Sequence, residues 1–360
     1  MEDWHCTLEG VAVTDGWSGR TVLVTGHTGF KGAWLVTWLD LLGAEVTGLA
    51  LPAEEQSLWA LIQSHVEIVE VLGDVRDAAV VAAAFDRSEP EVVIHLAAQS
   101  LVRRGYREPL ETFDVNLRGT ALVLEAALRQ PSVRAVVVVT SDKVYDAQNQ
   151  QPYTESSTLG GTEPYGASKA CTEILVNAYR ESFFRPRGIP VATARAGNVI
   201  GGGDRAADRL VPDVVRMLEC GRPVSLRYPD ATRPWQHVLD PLRGYLMLAE
   251  RMLIAPNDAP QALNFGPPTA NCVASREVVE RLSSMWGGAP GWLMDDSESP
   301  PEAPALTLSS DLAAELLGWR SVLHLNEALE WTARWYDAQR RGAGVKETTE
   351  QIERFQELVG

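Results

Sequence analysis

Thr21-Val22-Leu23-Val24-Thr25-Gly26-His27-Thr28-Gly29-Phe30-Lys31-Gly32 is a short β-branched run that breaks into three evenly spaced glycines. The run reads as a buried parallel strand; Ala33 to Leu42 follows with helical apolar spacing, and Gly43 is its C-cap. In a strand-to-helix turn of this kind the first glycine permits tight curvature. The second lets a pyrophosphate approach backbone N–H groups, and the third lets the helix lie close on the strand. Gly26, Gly29 and Gly32 take these places, spaced GxxGxxG rather than GxGxxG. The stretch therefore predicts a dinucleotide-binding α/β protein.

Outward from it, Glu45 to Leu51 and Val66 to Val71 are the next strands, the second closing at Gly73-Asp74. Ala78 to Phe85 reads as a helix, and Glu91 to Leu96 as a strand ending in His95-Leu96-Ala97-Ala98-Gln99. A helix from about Glu108 to Arg129 precedes the strand Arg134 to Thr140. A second, from about Tyr165 to Ser182, precedes the strand Val191 to Ala196. This alternation predicts a Rossmann-type doubly wound parallel sheet with helices on both faces. After Gly197, glycine, proline, tryptophan and arginine become frequent and the alternation stops. The expected division is a lead-in over 1–18, a cofactor domain over 19–197, and a smaller, mostly C-terminal substrate lobe over 198–360. Segments of about 232–265 return to the first domain. Asp295 to Pro304 reads as a proline-rich acidic surface loop, and Leu325 to Arg340 as a helix.

The 360 residues, 45% hydrophobic, suffice for a large core. A formal charge of -16 argues against a broad nucleic-acid face but not against a small phosphorylated ligand held by a few arginines. Cys6, Cys171, Cys220 and Cys272 are scattered without metal-ligand spacing, so neither a disulfide framework nor a metal site is expected, and free thiols fit a reducing cytosol. No charged-then-apolar leader opens the chain, and runs such as Ala135 to Val139 are too short to cross a bilayer. The expectation is a soluble cytoplasmic protein with no membrane partner.

Tyr165-Gly166-Ala167-Ser168-Lys169 places a tyrosine and a lysine four apart, on one helix face. Tyrosine with its ordinary pKa of about 10 is a poor base at neutral pH, and a nearby ammonium or an oxidised nicotinamide favours the tyrosinate. Ser141, at a strand end, can bond the substrate hydroxyl that Tyr165 deprotonates, and Lys169 can bond the nicotinamide ribose. The second strand ends Ala50-Leu51-Pro52 without the acid that binds an adenine ribose; Glu54 and Glu55 come late. No arginine for a 2′-phosphate stands there either, which favours NAD over NADP. Asp74 and Val75 are placed to flank the adenine.

Further segments carry a family likeness: Leu101-Val102-Arg103-Arg104, Thr140-Ser141-Asp142-Lys143, Arg195 to Asp204, Arg233-Pro234-Trp235-Gln236-His237-Val238 and Asn264-Phe265-Gly266-Pro267. With the glycine turn and HLAAQ, they resemble the extended short-chain dehydrogenase/reductases, and among them the CDP-glucose branch of the nucleotide-sugar 4,6-dehydratases. The resemblance runs from about Trp17 to the C-terminal helix. It implies a reaction in which hydride leaves carbon 4 of a hexose for NAD, water is lost across carbons 5 and 6, and hydride returns to carbon 6. Tyr165 would take the 4-hydroxyl proton, Asp142 would be the acid for water loss, and Lys143 either the base at carbon 5 or a cation stabilising the enolate. Ser141 and Lys169 complete the implied catalytic set.

On the cofactor the resemblance places Gly26, Thr28, Gly29, Phe30, Lys31, Gly32, Asp74, Val75, Leu96, Ala97, Ala98, Gln99 and Asn116, with Tyr165 and Lys169. On the substrate, CDP-glucose or another nucleotide hexose, it places Gln99, Arg103, Asn198, Arg209, Arg233 and His237. For His95, in an apolar strand end, and His237, in a tryptophan-flanked run, packing is the ordinary role. Two departures bear on the substrate: Asp146 to Pro152 is polar where the branch carries a tryptophan, and Gly166 replaces a serine. A 4-epimerase or reductase of the same fold shares the tyrosine, lysine and glycine turn but needs no acid for water loss. A non-catalytic NAD-binding protein needs neither Tyr165 nor Asp142. The helices around 108–129 and 165–182 stand where this group pairs into a four-helix bundle, so a homodimer, or a tetramer built from it, is expected.

Overall fold

The computed structural model describes residues 15–147, 152–288, 291–297 and 305–360. Most of the lead-in, the Gln148–Gln151 part of the polar segment and 298–304 of the acidic loop lie outside the described residues. The strands described are β1 (Thr21–Thr25), β2 (Glu45–Ala50), β3 (Ile68–Leu72), β4 (Val92–His95), β5 (Ala135–Val139), β6 (Val191–Ala196), β7 (Asn198–Ile200), β8 (Val224–Leu226), β9 (Thr232–His237), β10 (Ala262–Phe265), β11 (Cys272–Ala274) and β12 (Trp292–Met294). Seven of them form one sheet in the order β10-β6-β5-β4-β1-β2-β3. Every pairing within it is parallel.

Parallel strands covered on both faces need apolar side chains in both directions, which is why Ala135-Val136-Val137-Val138-Val139 is buried throughout. One face packs on Trp34, Trp38, Leu242 and Leu246. The other packs on Phe85, Val123, Leu124 and Val176. The chain crosses from one side of β1 to the other between β3 and β4. The carboxyl ends of β1 and β4 therefore diverge into a crevice, the usual ligand position in such sheets.

Two smaller sheets stand over this crevice. β7 pairs parallel with β9, which pairs antiparallel with β11, and β8 pairs parallel with β12. β10 returns to the edge of the large sheet against β6.

The two long helices differ from the expectation in detail. The first runs Pro109–Phe113, makes a π turn over Asp114–Arg118 and continues as Gly119–Arg129. The extra residue in that turn accompanies the inward placement of Asn116, whose side chain bonds Gln99 and Ser168. The second runs Pro164–Tyr179 and ends in a π turn over Arg180–Phe184. The helices Leu210–Glu219, Leu239–Ile254, Ser275–Met285 and Gly344–Val359 lie in the stretch that sequence patterning left undivided. Among the described residues no helix is long and apolar enough to cross a membrane.

Candidate active site

A cavity of about 600 Å³ fills the crevice between the sheet ends and the small sheets. The glycine turn forms one wall, and two of its glycines leave no room for a side chain. Gly26 has φ +78°, and a Cβ there would lie 2.8 Å from the Ala97 backbone nitrogen. On Gly32 it would lie 2.1 Å from the Gly26 carbonyl oxygen. Gly29 caps the helix Phe30–Leu41 without any side-chain cap, so first-turn N–H groups face the cavity unclaimed by a side chain. This cradle fits a dinucleotide pyrophosphate. Thr28 Oγ1 donates to the Leu51 carbonyl and ties the turn to the end of β2. Leu49, Ala50 and Leu51 are what that end gives to the cavity wall.

The wall opposite carries the reactive side chains. Glu163 caps the helix Pro164–Tyr179 by accepting from the Tyr165 and Gly166 N–H groups, which fixes Tyr165 in its first turn. Gly105 lies close against Tyr165; a Cβ there would be 3.3 Å from the Tyr165 nitrogen. Lys169, one turn on, donates from Nζ to the Val139 carbonyl at 3.0 Å. Ser141 and Asp142 are buried just beyond β5, and Lys143 is half-buried beside them. Ser141 Oγ donates to Asp142 Oδ1 at 3.0 Å, while Asp142 Oδ2 is buried without a partner. Gly197 makes room for that oxygen: a Cβ there would sit 3.1 Å from it and 2.7 Å from Pro234 Cγ.

Electrostatics set the resting state of these groups. Burial pushes the Tyr165 hydroxyl up to about 12; a hydrogen bond with Ser141 and the charge of Arg209 pull it back down, and Asp142 opposes them. In the chain alone the tyrosine is thus a protonated group, and Ser141 and Arg209, rather than Lys169, moderate it. Burial lowers Lys169 to about 8 against the opposing charge of Glu173. Lys31 is likewise lowered to about 8, first by burial and then by Arg209, with Asp142 pulling the other way.

Of the residues singled out in the sequence, Gly26, Thr28, Gly29, Phe30, Lys31, Gly32, Val75, Leu96, Ala97 and Ala98 line the cavity. So do Arg103, Ser141, Asp142, Lys143, Tyr165, Lys169, Asn198, Arg209 and Arg233. Four others stand behind the lining. The Asp74 carboxylate is taken by the Arg76 guanidinium at 2.6 Å, which holds it below the usual carboxylate range. Gln99 turns its side chain onto Leu101 and Thr112, and Asn116 clamps the Gln99 backbone from both sides. His237 is fully buried between Trp34 and Trp331, an aromatic packing position.

His95 is also structural. Thr120 Oγ1 donates to the Asn116 carbonyl, so His95 Nε2 donates to Thr120 and its Nδ1 accepts from Thr25. Burial and the charge of Lys169 push it down to about 3.

The sequence reading passed over the carboxylates that hold the cations. Arg209 donates to Asp204 and Ser100, and Arg103 pairs with Asp208 at 3.0 Å. Asp204, Asp208 and Asp213 all line the cavity. Asp204 follows Gly201-Gly202-Gly203, and that motif was the available signal.

A parallel sheet whose switch point holds a glycine cradle, facing a serine, a tyrosine and a lysine, defines a dinucleotide-dependent protein of the short-chain dehydrogenase/reductase class. The comparisons narrow the class. Residues 22–264 match the family described as NAD dependent epimerase/dehydratase. The CDP-glucose 4,6-dehydratase of Salmonella typhimurium is 40% identical over 333 residues, covering 91% of this chain and 93% of that protein. A dTDP-4-dehydro-6-deoxy-D-allose reductase of a Streptomyces species is 30% identical, covering 91% and 99%. Among solved structures, the dTDP-glucose 4,6-dehydratase of Streptomyces venezuelae with NAD bound superposes with a TM-score of 0.77 at 27% identity, covering 89% of this chain and 98% of that one. The chain belongs to the NAD dependent epimerase/dehydratase family.

Proposed function

We propose that this chain is an NAD-dependent nucleotide-sugar 4,6-dehydratase whose substrate is CDP-glucose. The observation that carries the reading is Asp142. A buried carboxylate with one oxygen unclaimed, next to Ser141 and facing the same cavity as Tyr165, is what water elimination requires and what epimerisation or simple reduction does not. The relative named CDP-glucose 4,6-dehydratase supports the choice of substrate.

Gly26, Thr28, Gly29, Phe30, Lys31, Gly32, Val75, Leu96, Ala97 and Ala98 would hold NAD, with Tyr165 and Lys169 on its nicotinamide side. When bound, it takes an electron pair from the sugar and later returns it, so no net oxidation results. Tyr165 Oη takes the proton of the sugar 4-hydroxyl, with Ser141 Oγ bonded to the same oxygen. Asp142, in its acid form, gives the proton on Oδ2 to the departing 6-hydroxyl and is left as the carboxylate. Lys143 serves the carbon 5 end, as an amine that removes its proton and returns it when hydride comes back to carbon 6, or as an ammonium stabilising the enolate while solvent takes and returns that proton. Arg209 and Arg233 suit the diphosphate, and Asn198 and Arg103 stand along the same wall. Residues 19–197 then form the cofactor domain and 198–360 mainly the substrate lobe.

We assign a homodimer through the helices Pro109–Arg129 and Pro164–Phe184, because Leu110, Ile174 and Phe183 are exposed apolar residues on them. Cys171, Cys220 and Cys272 are free thiols, which suits a reducing cytoplasm.

Incubation with CDP-glucose should yield a 4-keto-6-deoxy product, recognised by its alkaline absorbance, at a higher kcat/KM than dTDP-, GDP- or UDP-hexoses. Formation of a 4-epimer alone would overturn the reading.

A further inference from the structure

Tyr165, Lys169 and Glu173 follow one another at four-residue intervals on the helix Pro164–Tyr179, so the face that carries the reactive pair continues into a carboxylate. Glu173 is buried and wholly engaged. It accepts hydrogen bonds from Thr140 Oγ1, from Thr193 Oγ1 at 2.7 Å, and from Arg195 Nε and Nη2 at 2.8 and 2.7 Å. Arg195 in turn donates to Tyr145 Oη at 2.8 Å, and Tyr145 donates to Asn264 Oδ1 at 2.6 Å. The carboxylate thus binds the reactive helix to the residue after β5, to β6 and, through Arg195 and Tyr145, to β10.

A buried ion pair of this kind adds little to stability compared with an apolar replacement, so its presence asks for another reason. The groups around Lys169 supply one. The face of its own helix carries Tyr165 and Glu173. The glycine-turn helix brings Lys31, a cation that repels it, and β4 brings His95, which is buried and neutral. Asp142 and Lys143 follow β5, and β6 brings Arg195, already spent on Glu173. Among these, Glu173 is the carboxylate whose charge reaches Lys169. The same carboxylate fixes Thr140, the residue before Ser141.

We infer that Glu173 is a positioning residue for the reaction proposed above: it keeps Lys169 an ammonium inside the cavity and sets the strand end bearing Ser141 and Asp142 against Tyr165. The motif is accordingly a tyrosine, a lysine and a glutamate at successive turns. The inference rests on the dehydratase reading for its catalytic meaning, but its electrostatic content can be measured without turnover.

The chain has four lysines, Lys31, Lys143, Lys169 and Lys346, which makes site-resolved titration practical. The experiment is trace acetylation of the whole chain, without nucleotide, over a pH series. Each lysine is read by peptide mass spectrometry, with exposed Lys346 as internal control. Wild type should titrate at Lys169 near pH 8. Glu173→Gln should move that midpoint down by about one unit, and Lys346 should not move.

Glu173→Gln leaves Arg195 buried beside a neutral partner and can fail to fold. The double variant Glu173→Gln/Arg195→Gln removes both charges and is measured in parallel; Glu173→Asp should restore most of the midpoint. In CDP-glucose turnover the alkaline limb of kcat/KM should shift in the same direction in the same variants, with KM changed less than kcat.

A Lys169 midpoint that stays put in a folded variant overturns the inference, and so does failure of both glutamine variants to fold, since the pair then serves the fold alone. A wild-type chain that turns over no nucleotide hexose while its Lys169 midpoint still shifts with Glu173→Gln refutes the dehydratase reading and leaves the electrostatic assignment standing.

Discussion

Asp142→Asn separates the elimination of water from the oxidation that precedes it. Asparagine keeps an oxygen to accept from Ser141 Oγ, as Asp142 Oδ1 does at 3.0 Å, and puts an amide nitrogen where Oδ2 now lies buried without a partner. The exchange removes an unpaired buried carboxylate oxygen and adds no volume, so unfolding free energy should stay within about 1 kcal/mol of wild type. What disappears is the proton for the departing 6-hydroxyl. A positioned general acid contributes about 10²–10⁴-fold, or about 2.7–5.5 kcal/mol of barrier. Appearance of the 4-keto-6-deoxy product should slow by that factor, with KM for CDP-glucose nearly unchanged. Proton removal by Tyr165 does not use Asp142. While Asp142 is ionised its charge raises the Tyr165 pKa, so asparagine in its place does not hinder the tyrosinate. In stopped flow the reduced-nicotinamide absorbance should therefore rise on mixing and persist, instead of decaying with product. A variant that forms product at the wild-type rate with a wild-type melting temperature refutes the assignment of Asp142 as the acid. One that loses the absorbance rise together with its stability makes Asp142 a packing residue.

Gly32→Ala would place a Cβ 2.1 Å from the Gly26 carbonyl oxygen, so calorimetry should find NAD binding lost even if the chain still folds. Gly197→Ala pushes on Asp142 Oδ2 and Pro234, and product formation should fall by about 10²-fold or more while NAD affinity holds. Because burial brings Lys169 to about 8, kcat/KM should fall as pH rises through that value. Stability from the same group moves oppositely. Between about 8 and its ordinary 10.5 the unfolded chain binds the proton that the native lysine has lost, so stability rises with pH over that window, which unfolding titrations against a Lys169→Met variant would detect. Leu110→Glu with Phe183→Glu should give a monomer by sedimentation, since both side chains are exposed on the proposed dimer helices; an unchanged dimer would place the interface elsewhere.

Six of the seven strands of the large sheet were legible, the clearest being Thr21–Thr25 and Ala135–Val139, short β-branched runs of the kind buried on both faces; the edge strand Ala262–Phe265 was not. Val191–Ala196 and the helix Leu325–Arg340 fall where periodicity puts them. The π turns in the two long helices were not legible, since Asp114–Arg118 and Arg180–Phe184 carry no unusual residue. The first accompanies an asparagine drawn inward by Gln99 and Ser168, a contact between segments far apart in the chain. For the candidate site, glycine spacing located the cradle because a Cβ has no room there. Asp74 and His237 show the converse: strand-end position places a side chain near a ligand without saying which way it turns. Asp74 turns to Arg76, two residues on, and His237 into tryptophans that the sequence holds about 100 or more residues away.

The distribution of lysine ties these observations together. Among the described residues nearly all surface ion pairs use arginine, Lys346–Glu350 being an exception, yet three of the four lysines, Lys31, Lys143 and Lys169, line the cavity described above. Arginine stays charged at any working pH and forks onto two oxygens, so it suits the fixed pairs Arg209–Asp204 and Arg103–Asp208 on the cavity wall. Lysine keeps a proton that burial can loosen, and two of the three are lowered to about 8 by it. A cavity that only had to hold an anionic ligand would gain nothing from that choice. One that must accept a diphosphate and move protons at two neighbouring carbons needs cations whose charge depends on burial and neighbours. The placement of those lysines in a chain of formal charge -16 is thus an argument for proton chemistry in the cavity that stands apart from the glycine turn and from the tyrosine itself.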